Sequence, residues 1–477
     1  MLAVTLALLF ISLVAFLIIG SLNAGAMKTR EDMFSAAARL DRFQIARTTL
    51  AANVAISGGI QWFLVQGSTT GLAIIIWGPI AVLIGMYLNA MFVDRYAPAA
   101  FFEKYSSFAT LTRDLFGGRL ASGVVLAITS LGSLTILLVE IYVGVAALQI
   151  FFPQVSAAGL GATSVVVGAV TVYAVLGGLL GIVRNDWMQN ALIMSVGVVV
   201  VLVFFSGGGQ SAATDGAPPF RPEFAPIPLE LIVWLVVVNL FFIPTQLRFW
   251  QVAGSAENRE AFVRGYKRAG VQTALLWAML AIVGYALLHY LGHPFSTLDG
   301  LLRELVARQG DIVVNVSFGL ITIAAFAALV STADSAIISL AQCVSDVVAP
   351  KSSSIWLQRG IVAAVGVVTL LLYAGIFGLL GTRFIDVFSS AFSLFILIAP
   401  MVCMAMMRPE IGHSKLFQYV SLAGLLAALS VVLLSTYTSV PHLPSPLWAG
   451  SIGFAISLVS AVVGFLVARA QKAPADA

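Results

Sequence analysis

Three hydroxyls and one carboxylate interrupt an apolar stretch of the chain. In FAALVSTADSAIISL, residues 326–340, the polar side chains are Ser331, Thr332, Asp334 and Ser335, inside a run that is otherwise apolar from about residue 312 to residue 348. On a helix these four positions share one face or flank it, because residues three and four apart lie one above the other. Oxygen atoms grouped in this way inside a membrane are typical of an ion path or a proton relay.

The two isolated acids of the apolar spans need partners. A charged Asp near the centre of a span costs about 2.5–3.5 kcal/mol, so Asp334 is expected to face a bundle interior, a cavity or an ion path. Glu140, in TILLVEIYVGVAALQIF, has no basic residue in its own span to pair with. Glu140 therefore also needs a partner outside its own span.

A cation inside a membrane also needs backbone oxygens, and an interrupted helix supplies them. Na⁺ prefers several oxygen ligands, and carbonyl groups are freed only where a helix is broken. The segment NVAISGGIQW, residues 53–62, contains Ser57, Gly58 and Gly59 as consecutive poor helix formers in an apolar run. We therefore expect a helix break here that contributes carbonyl oxygens to the same ion.

The composition predicts a polytopic membrane protein. Of the 477 residues 60% are hydrophobic and 10% charged, and the mean hydropathy is +1.02, whereas soluble domains contain about 25% charged residues. Windows of about 20 apolar residues, enough for a helix to cross the hydrocarbon core, occur thirteen times. The predicted spans are 2–22, 48–70, 72–93, 121–151, 160–181, 187–206, 229–247, 270–290, 311–347, 357–381, 384–406, 416–436 and 447–469.

The basic residues predict the orientation. With the N-terminus outside and the C-terminus in the cytoplasm, about 21 of the 25 Lys and Arg residues lie on the cytoplasmic side, including the clusters at 28–47, 95–119 and 248–268. The expected location is the plasma membrane, in a bacterium the inner membrane, with the lipid bilayer as partner. The positive charge is thus a topology signal, and we predict no nucleic-acid partner. Because basic residues follow the first span and none precedes it, we expect an uncleaved helix.

Catalytic and metal chemistry are not indicated. Cys343 and Cys403 lie in predicted spans, and the four histidines have no ligand spacing. No set of nucleophile, His and acid and no phosphate-binding loop occurs. The chain is therefore predicted not to be an enzyme and to need no organic cofactor.

Four segments, in order, resemble the sodium:solute symporter family. They are EDMFSAAARLDRFQIARTTLAANVAISGG (31–59), YAVLGGLLGIVRNDWMQ (173–189), PTQLRFWQVAGSAENREA (244–261) and STADSAIISLAQCVSDV (331–347). The similarity covers roughly residues 30–350, and the thirteen-helix topology agrees with it. The resemblance implies an all-α, LeuT-type fold in which two inverted five-helix repeats hold the substrate near the midplane. The chain would be a single, monomeric domain over 1–477, with an extra helix at 1–25, repeats at 46–206 and 229–406, and two further helices at 415–469.

The resemblance also implies a Na⁺ site between the broken helix and the ninth span. Its ligands by position are the carbonyl oxygens of Asn53, Ile56 and Ala328 and the hydroxyls of Ser331 and Thr332. All of these positions match the residue types required. One or two Na⁺ ions are expected in total.

Some relatives have a second cation site closer to the cytoplasm. The matching positions here are Asp186, Ser331, Asp334 and Ser335. Two carboxylates exceed the charge of one monovalent ion, so either one Asp is protonated or Asp334 turns toward another partner. Asp186 is alternatively a residue at the cytoplasmic end of its helix, near Arg184.

In the fold of this family the span that contains Glu140 lines the substrate cavity. The resemblance thus implies that Glu140 either pairs with a cationic group of the substrate or titrates as a coupling proton site. Alternatively it is bonded to neighbouring helices or extends outward to the membrane surface. Further cavity residues are expected from the first helix break and from a matching break around Pro244: Ser57, Gln61, Trp62, Asn239, Phe242 and Gln246. The combination of Gln61, Trp62 and Glu140 does not reproduce the sugar, proline or sialic-acid members. The predicted substrate is thus a small organic solute, namely an amino acid, a carboxylate or a related metabolite.

The predicted function is Na⁺-coupled import of this solute by alternating access. One alternative is H⁺ coupling in the same fold, with Asp186, Asp334 and Glu140 as relay acids. Another is a transporter-like solute sensor, against which we note that AQKAPADA, the segment after residue 469, leaves no room for an output module.

Overall fold

The computed structural model describes residues 1–22, 24–25, 27–36, 40–103, 107–151, 160–205, 226–437 and 443–472. Nearly all of this part of the chain is helical. Most of the segment AQKAPADA, from residue 473 onward, lies outside the described residues.

Nineteen helices follow one another along the described chain. They are α1 (Leu2–Ser21), α2 (Arg30–Ser35), α3 (Arg42–Asn53), α4 (Ile56–Thr70), α5 (Ala73–Tyr96), α6 (Ala99–Glu103), α7 (Phe108–Phe116), α8 (Arg119–Leu148), α9 (Leu160–Met194), α10 (Gly197–Phe205), α11 (Leu229–Phe241), α12 (Leu247–Gly254), α13 (Arg259–Leu291), α14 (Leu298–Ala307), α15 (Ile312–Val348), α16 (Ile355–Met407), α17 (Pro409–Gly412), α18 (Lys415–Tyr437) and α19 (Pro446–Lys472).

The number of spans differs from the thirteen predicted. Within the described residues ten helical segments are long and apolar enough to cross a membrane, and the bent pair α3–α4 makes eleven. The predicted spans 160–181 and 187–206 fall in one apolar segment, Thr163–Val203, which is kinked at Gly178, where the backbone is not helical and φ is 55°. The predicted span 229–247 is divided into the short helix α11, a 3₁₀ turn over Ile243–Thr245 and the start of α12.

The first helix break is present, a few residues before the glycines that suggested it. Helix α3 ends at Asn53, Val54 and Ala55 have non-helical backbone angles, and α4 begins at Ile56, with a bend of 69° between the two helices. The stretch from Ser57 to Gly59 belongs to a π-helical turn over Ile56–Gln61. The break therefore lies between the two residues whose carbonyls were predicted as ligands.

Helix α15, which carries the polar stripe, lies in the interior of the bundle. In its most apolar window 72% of the residues are buried, against 17% in α1, whose Phe10 and Ile11 are exposed on the surface. It packs against α8 and α9 and against both α3 and α4. The polar face of α15 is thus held beside the helix break.

Close helix contacts fix the second half of the broken helix. A Cβ atom at Gly284 of α13 would lie 2.0 Å from the carbonyl oxygen of Leu64, and one at Gly67 of α4 would lie 2.1 Å from that of Ala281. Small residues let membrane helices approach in this way. Helix α4 therefore packs closely against α13, and this contact fixes the position of the first turn of α4.

Candidate functional site

A cavity of about 160 Å³ lies between the two interrupted helices. Its walls come from α4, α8, α11, α15 and the last part of α16. Five of the seven residues predicted to contact substrate line it: Trp62, Glu140, Asn239, Phe242 and Gln246.

The other two predicted substrate residues do not line the cavity. Gln61 accepts a hydrogen bond from the backbone amide of Leu298, at the start of α14, at 3.2 Å. Ser57 is buried and directed toward Glu140. Ser57 thus does not line the cavity itself but is hydrogen-bonded to Glu140, which does.

Glu140 caps the first turn of α4. The backbone amide of Ser57 lies 3.2 and 3.3 Å from the two carboxylate oxygens, and the hydroxyl of the same residue also donates to the carboxylate. The amides of Ile56 and Gly58 face the same group. With an exposed fraction of 1%, Glu140 is a buried carboxylate at the positive end of a helix. We refer to these two side chains as the Glu140–Ser57 pair.

Aromatic side chains that the sequence did not single out form much of the remaining wall. The ring of Trp62 stacks on that of Phe388 at a centroid distance of 6.0 Å, and Trp234 meets Phe392 edge to face at 5.8 Å. Phe388 and Phe392 are themselves 4.8 Å apart. In a chain with 31 Phe and 8 Trp residues, no local pattern separates these rings from ordinary packing.

The two hydroxyls of the predicted Na⁺ site lie in the interior of the bundle. Ser331 is fully buried and Thr332 is 8% exposed, and the hydroxyl of Thr332 has no hydrogen-bond partner among the described residues. The side chain of Ser331 lies beside that of Asp186, and Ala328, one turn earlier, is fully buried. Buried polar atoms are normally satisfied, so these oxygens have the capacity to accept a cation.

The residues predicted for a second cation site are part of a larger cluster. Asp334 accepts hydrogen bonds from the hydroxyls of Tyr173 and, at 3.1 Å, Ser335. Asp186 accepts a bond from the hydroxyl of Thr48. Asp186 is fully buried within α9, so the interpretation as a residue at a helix end is wrong.

Arg248 completes this cluster, contrary to its predicted place among the cytoplasmic basic residues. Its guanidinium donates to the hydroxyl of Thr48 at 2.7 Å and lies near both Asp186 and Asp334. Arg248 lies at the cavity because the helix is interrupted around Pro244. Helix α12 begins only at Leu247, and its first turn places the side chain of Arg248 in the cavity wall. We refer to this set as the Arg248 cluster: Thr48, Tyr173, Asp186, Arg248 and Asp334.

A metal centre is not formed by the described part of the chain. No group of three or more His, Cys, Asp or Glu side chains there could hold a metal ion, and Cys343 and Cys403 are free thiols. The polar groups that line the cavity include hydroxyls, the carboxylate of Glu140, the guanidinium of Arg248 and the side-chain amides of Asn53, Asn239 and Gln246.

The structure is similar to solved structures of membrane transporters. One is a Na⁺-coupled sialic acid symporter in a substrate-bound, outward-open state, with 18% identity, a TM-score of 0.72 and 98% of each chain covered. A second is Mhp1, a nucleobase-cation-symport-1 family transporter, in a closed conformation with bromovinylhydantoin bound, with 15% identity, a TM-score of 0.62, and 93% of this chain and 95% of that chain covered. A third is MhsT in complex with L-phenylalanine, with 14% identity, a TM-score of 0.56, and 91% of this chain and 99% of that chain covered.

At these identities the likeness shows the fold. The chain has the all-α, LeuT-type fold that the sequence predicted, and the three matched structures are transporters, not enzymes. No protein-family model and no curated protein matches the chain. The specific resemblance to sodium:solute symporters and the division into two repeats remain predictions.

Proposed function

We propose that the chain is a Na⁺-coupled secondary active symporter that imports a small organic solute by alternating access. It would lie in the plasma membrane with its N-terminus outside. The observation that carries the proposal is the polar face of α15, where the buried hydroxyl of Thr332 has no partner among the described residues and that of Ser331 lies beside Asp186. This helix packs against both sides of the break in the first interrupted helix.

An alkali ion would satisfy these oxygens together. Leaving a buried hydroxyl without a partner costs about 1–3 kcal/mol, and a break between Asn53 and Ile56 frees carbonyl groups nearby. Na⁺ held by Ser331, Thr332 and the carbonyls of Asn53, Ile56 and Ala328 would need no formal negative charge at the site. This ligand set is the one expected from the sequence.

Coupling would follow from the position of the ion between two structural units. The broken helix α3–α4 and the helix α15 belong to different predicted repeats, so a bound ion stabilises one arrangement of the repeats relative to the other. A ligand shifts a conformational equilibrium only by its difference in affinity for the two states. Linkage then requires that solute tighten Na⁺ binding as much as Na⁺ tightens solute binding.

A second candidate is H⁺ coupling, favoured by the Arg248 cluster. Asp186 and Asp334 are fully buried and bonded to the hydroxyls of Thr48 and Tyr173, which is the chemistry of a proton relay. Arg248 already supplies one positive charge beside the two acids. A second Na⁺ ion at Asp186, Ser331, Asp334 and Ser335 would thus compete with an internal cation.

Reconstitution into liposomes distinguishes the two candidates. The purified chain would be tested with an inward Na⁺ gradient, an inward H⁺ gradient and a K⁺ control, over amino acids, carboxylates, sugars and amines. We expect at least one solute to accumulate with the Na⁺ gradient and not with K⁺. Accumulation driven by the H⁺ gradient alone, or uptake that is the same in Na⁺ and K⁺, would overturn Na⁺ coupling.

A further inference from the structure

The Glu140–Ser57 pair fills a position that transporters of this architecture leave for substrate. The N-terminus of a half-helix at the midplane carries a partial positive charge and points at an anionic group of the substrate. Here the first-turn amide of Ser57 is already bonded to a carboxylate of the protein. An incoming carboxylate would therefore meet Glu140 where it would otherwise meet free amide groups.

The carboxylate of Glu140 has no basic side chain as a partner. None of the ion pairs formed by the described residues includes it, and its hydrogen bonds come from the first turn of α4. When Glu140 is ionised, a helix terminus, which contributes about half an elementary charge, compensates only part of its negative charge. The cavity thus has a deficit of positive charge at Glu140, and Glu140 lines it.

The rest of the cavity wall provides few groups that could bind an anion. Arg248 also lines it, but its guanidinium is bonded to Thr48 and lies near Asp186 and Asp334. The wall made by Trp62, Trp234 and neighbouring Phe rings is apolar, and aromatic faces attract cations. The carboxylate of Glu140 and the aromatic wall therefore both favour a cationic ligand.

We propose that the cavity selects a small organic cation with an apolar body, whose charged group is directed to Glu140. The proposal rests on the proposed function, since it names the solute of that transporter. Like charge at Glu140 disfavours carboxylates, and Trp62, Trp234 and the Phe rings surround the apolar part of the molecule. The sequence led us to expect an amino acid, a carboxylate or a related metabolite, whereas the cavity favours amines over carboxylates and zwitterions.

Binding to the purified full-length chain in Na⁺ tests the proposal with probes matched in shape. The pairs are 2-phenylethylamine with 3-phenylpropionate, cyclohexylmethylamine with cyclohexanecarboxylate, and butylamine with butyrate, each measured by titration calorimetry. We expect at least one amine to bind tenfold or more tightly than its matched carboxylate. The proposal is overturned if no amine binds more tightly than its partner.

Two variants locate the preference. Glu140→Gln keeps the size of the side chain and removes the charge, so the preferred amine is expected to bind at least tenfold more weakly while carboxylates do not. Glu260→Gln, which changes a carboxylate 65% exposed outside the cavity, is the matched control and should retain the preference. An unaltered preference in Glu140→Gln would contradict the assignment.

Na⁺ binding measured on the same samples separates this proposal from the proposed function. Saturable Na⁺ binding by Glu140→Gln shows that the variant is folded, so a lost amine preference is then due to the charge. If the wild type binds amines selectively but binds no Na⁺, the Na⁺-coupled function fails and the cation selectivity stands. If it binds Na⁺ and prefers carboxylates, the cation selectivity fails alone.

Discussion

The Glu140–Ser57 pair and the Arg248 cluster are two solutions to burying charge in one bundle. In the Arg248 cluster a guanidinium lies near two carboxylates, and hydroxyls of Thr48 and Tyr173 bond to the acids. At the Glu140–Ser57 pair one carboxylate is held by the first turn of α4, with no basic partner among the described residues.

The difference indicates which region awaits a ligand. In the Arg248 cluster the protein itself supplies a cation near the two acids, and removing it leaves buried charges without compensation. A buried carboxylate that faces a cavity with only a helix terminus behind it is completed by a molecule that enters. The two regions should accordingly respond to mutation in different ways.

The largest effect on stability is expected for Arg248→Met. Removing the cation leaves Asp186 and Asp334 to repel each other in a buried site, and a buried charge that loses its compensating partner costs about 3–5 kcal/mol. The free energy of unfolding, measured by denaturant titration in mixed micelles, should fall by that amount. Arg248→Lys keeps the charge and should lose less.

A compensating variant sharpens this prediction. Arg248→Met combined with Asp186→Asn and Asp334→Asn removes the repulsion along with the cation, so part of the lost stability should return. If Arg248→Met alone is as stable as the wild type, the cluster is not held by charge compensation.

A smaller effect is expected for Ser57→Ala. The change removes the hydroxyl that donates to Glu140 and leaves the amide bond in place, and a hydrogen bond to a charged group contributes about 1.5–3 kcal/mol. The same unfolding measurement in Ser57→Ala, Glu140→Gln and the double variant gives the coupling energy between the two residues. Strictly additive effects would show that the Glu140–Ser57 pair does not act as a unit.

Local pattern predicted much of the fold. Hydropathy predicted membrane helices, and the poor helix formers around Gly58 indicated a break that lies at Val54 and Ala55. The polar face at Ser331 and Thr332 could be predicted from the sequence because polar side chains are rare within apolar membrane spans and usually have a function. Each of these signals lies within one short segment of the sequence.

Partners across the bundle could not be predicted in this way. Ser57 and Glu140 are 83 residues apart, and Thr48 and Arg248 are 200 apart. The resemblance placed Glu140 at the cavity, but its bond to Ser57 depends on how α8 packs against α4. The sequence predicted Arg248 to be cytoplasmic because it stands at the edge of a basic segment. A shift of one helical turn is enough to move such a residue from the cytoplasm into the cavity.

The most direct test of the account is Na⁺ binding to the purified chain, which requires no knowledge of the solute. Binding of ²²Na⁺ would be compared in the wild type, in Ser331→Ala with Thr332→Ala, and in Thr322→Ala, whose hydroxyl on the same helix already donates to the carbonyl of Phe318 at 2.7 Å. We predict saturable binding, not displaced by K⁺, in the wild type and in Thr322→Ala, and at least about tenfold weaker binding in the double variant. Equal Na⁺ affinity in all three proteins would contradict the account.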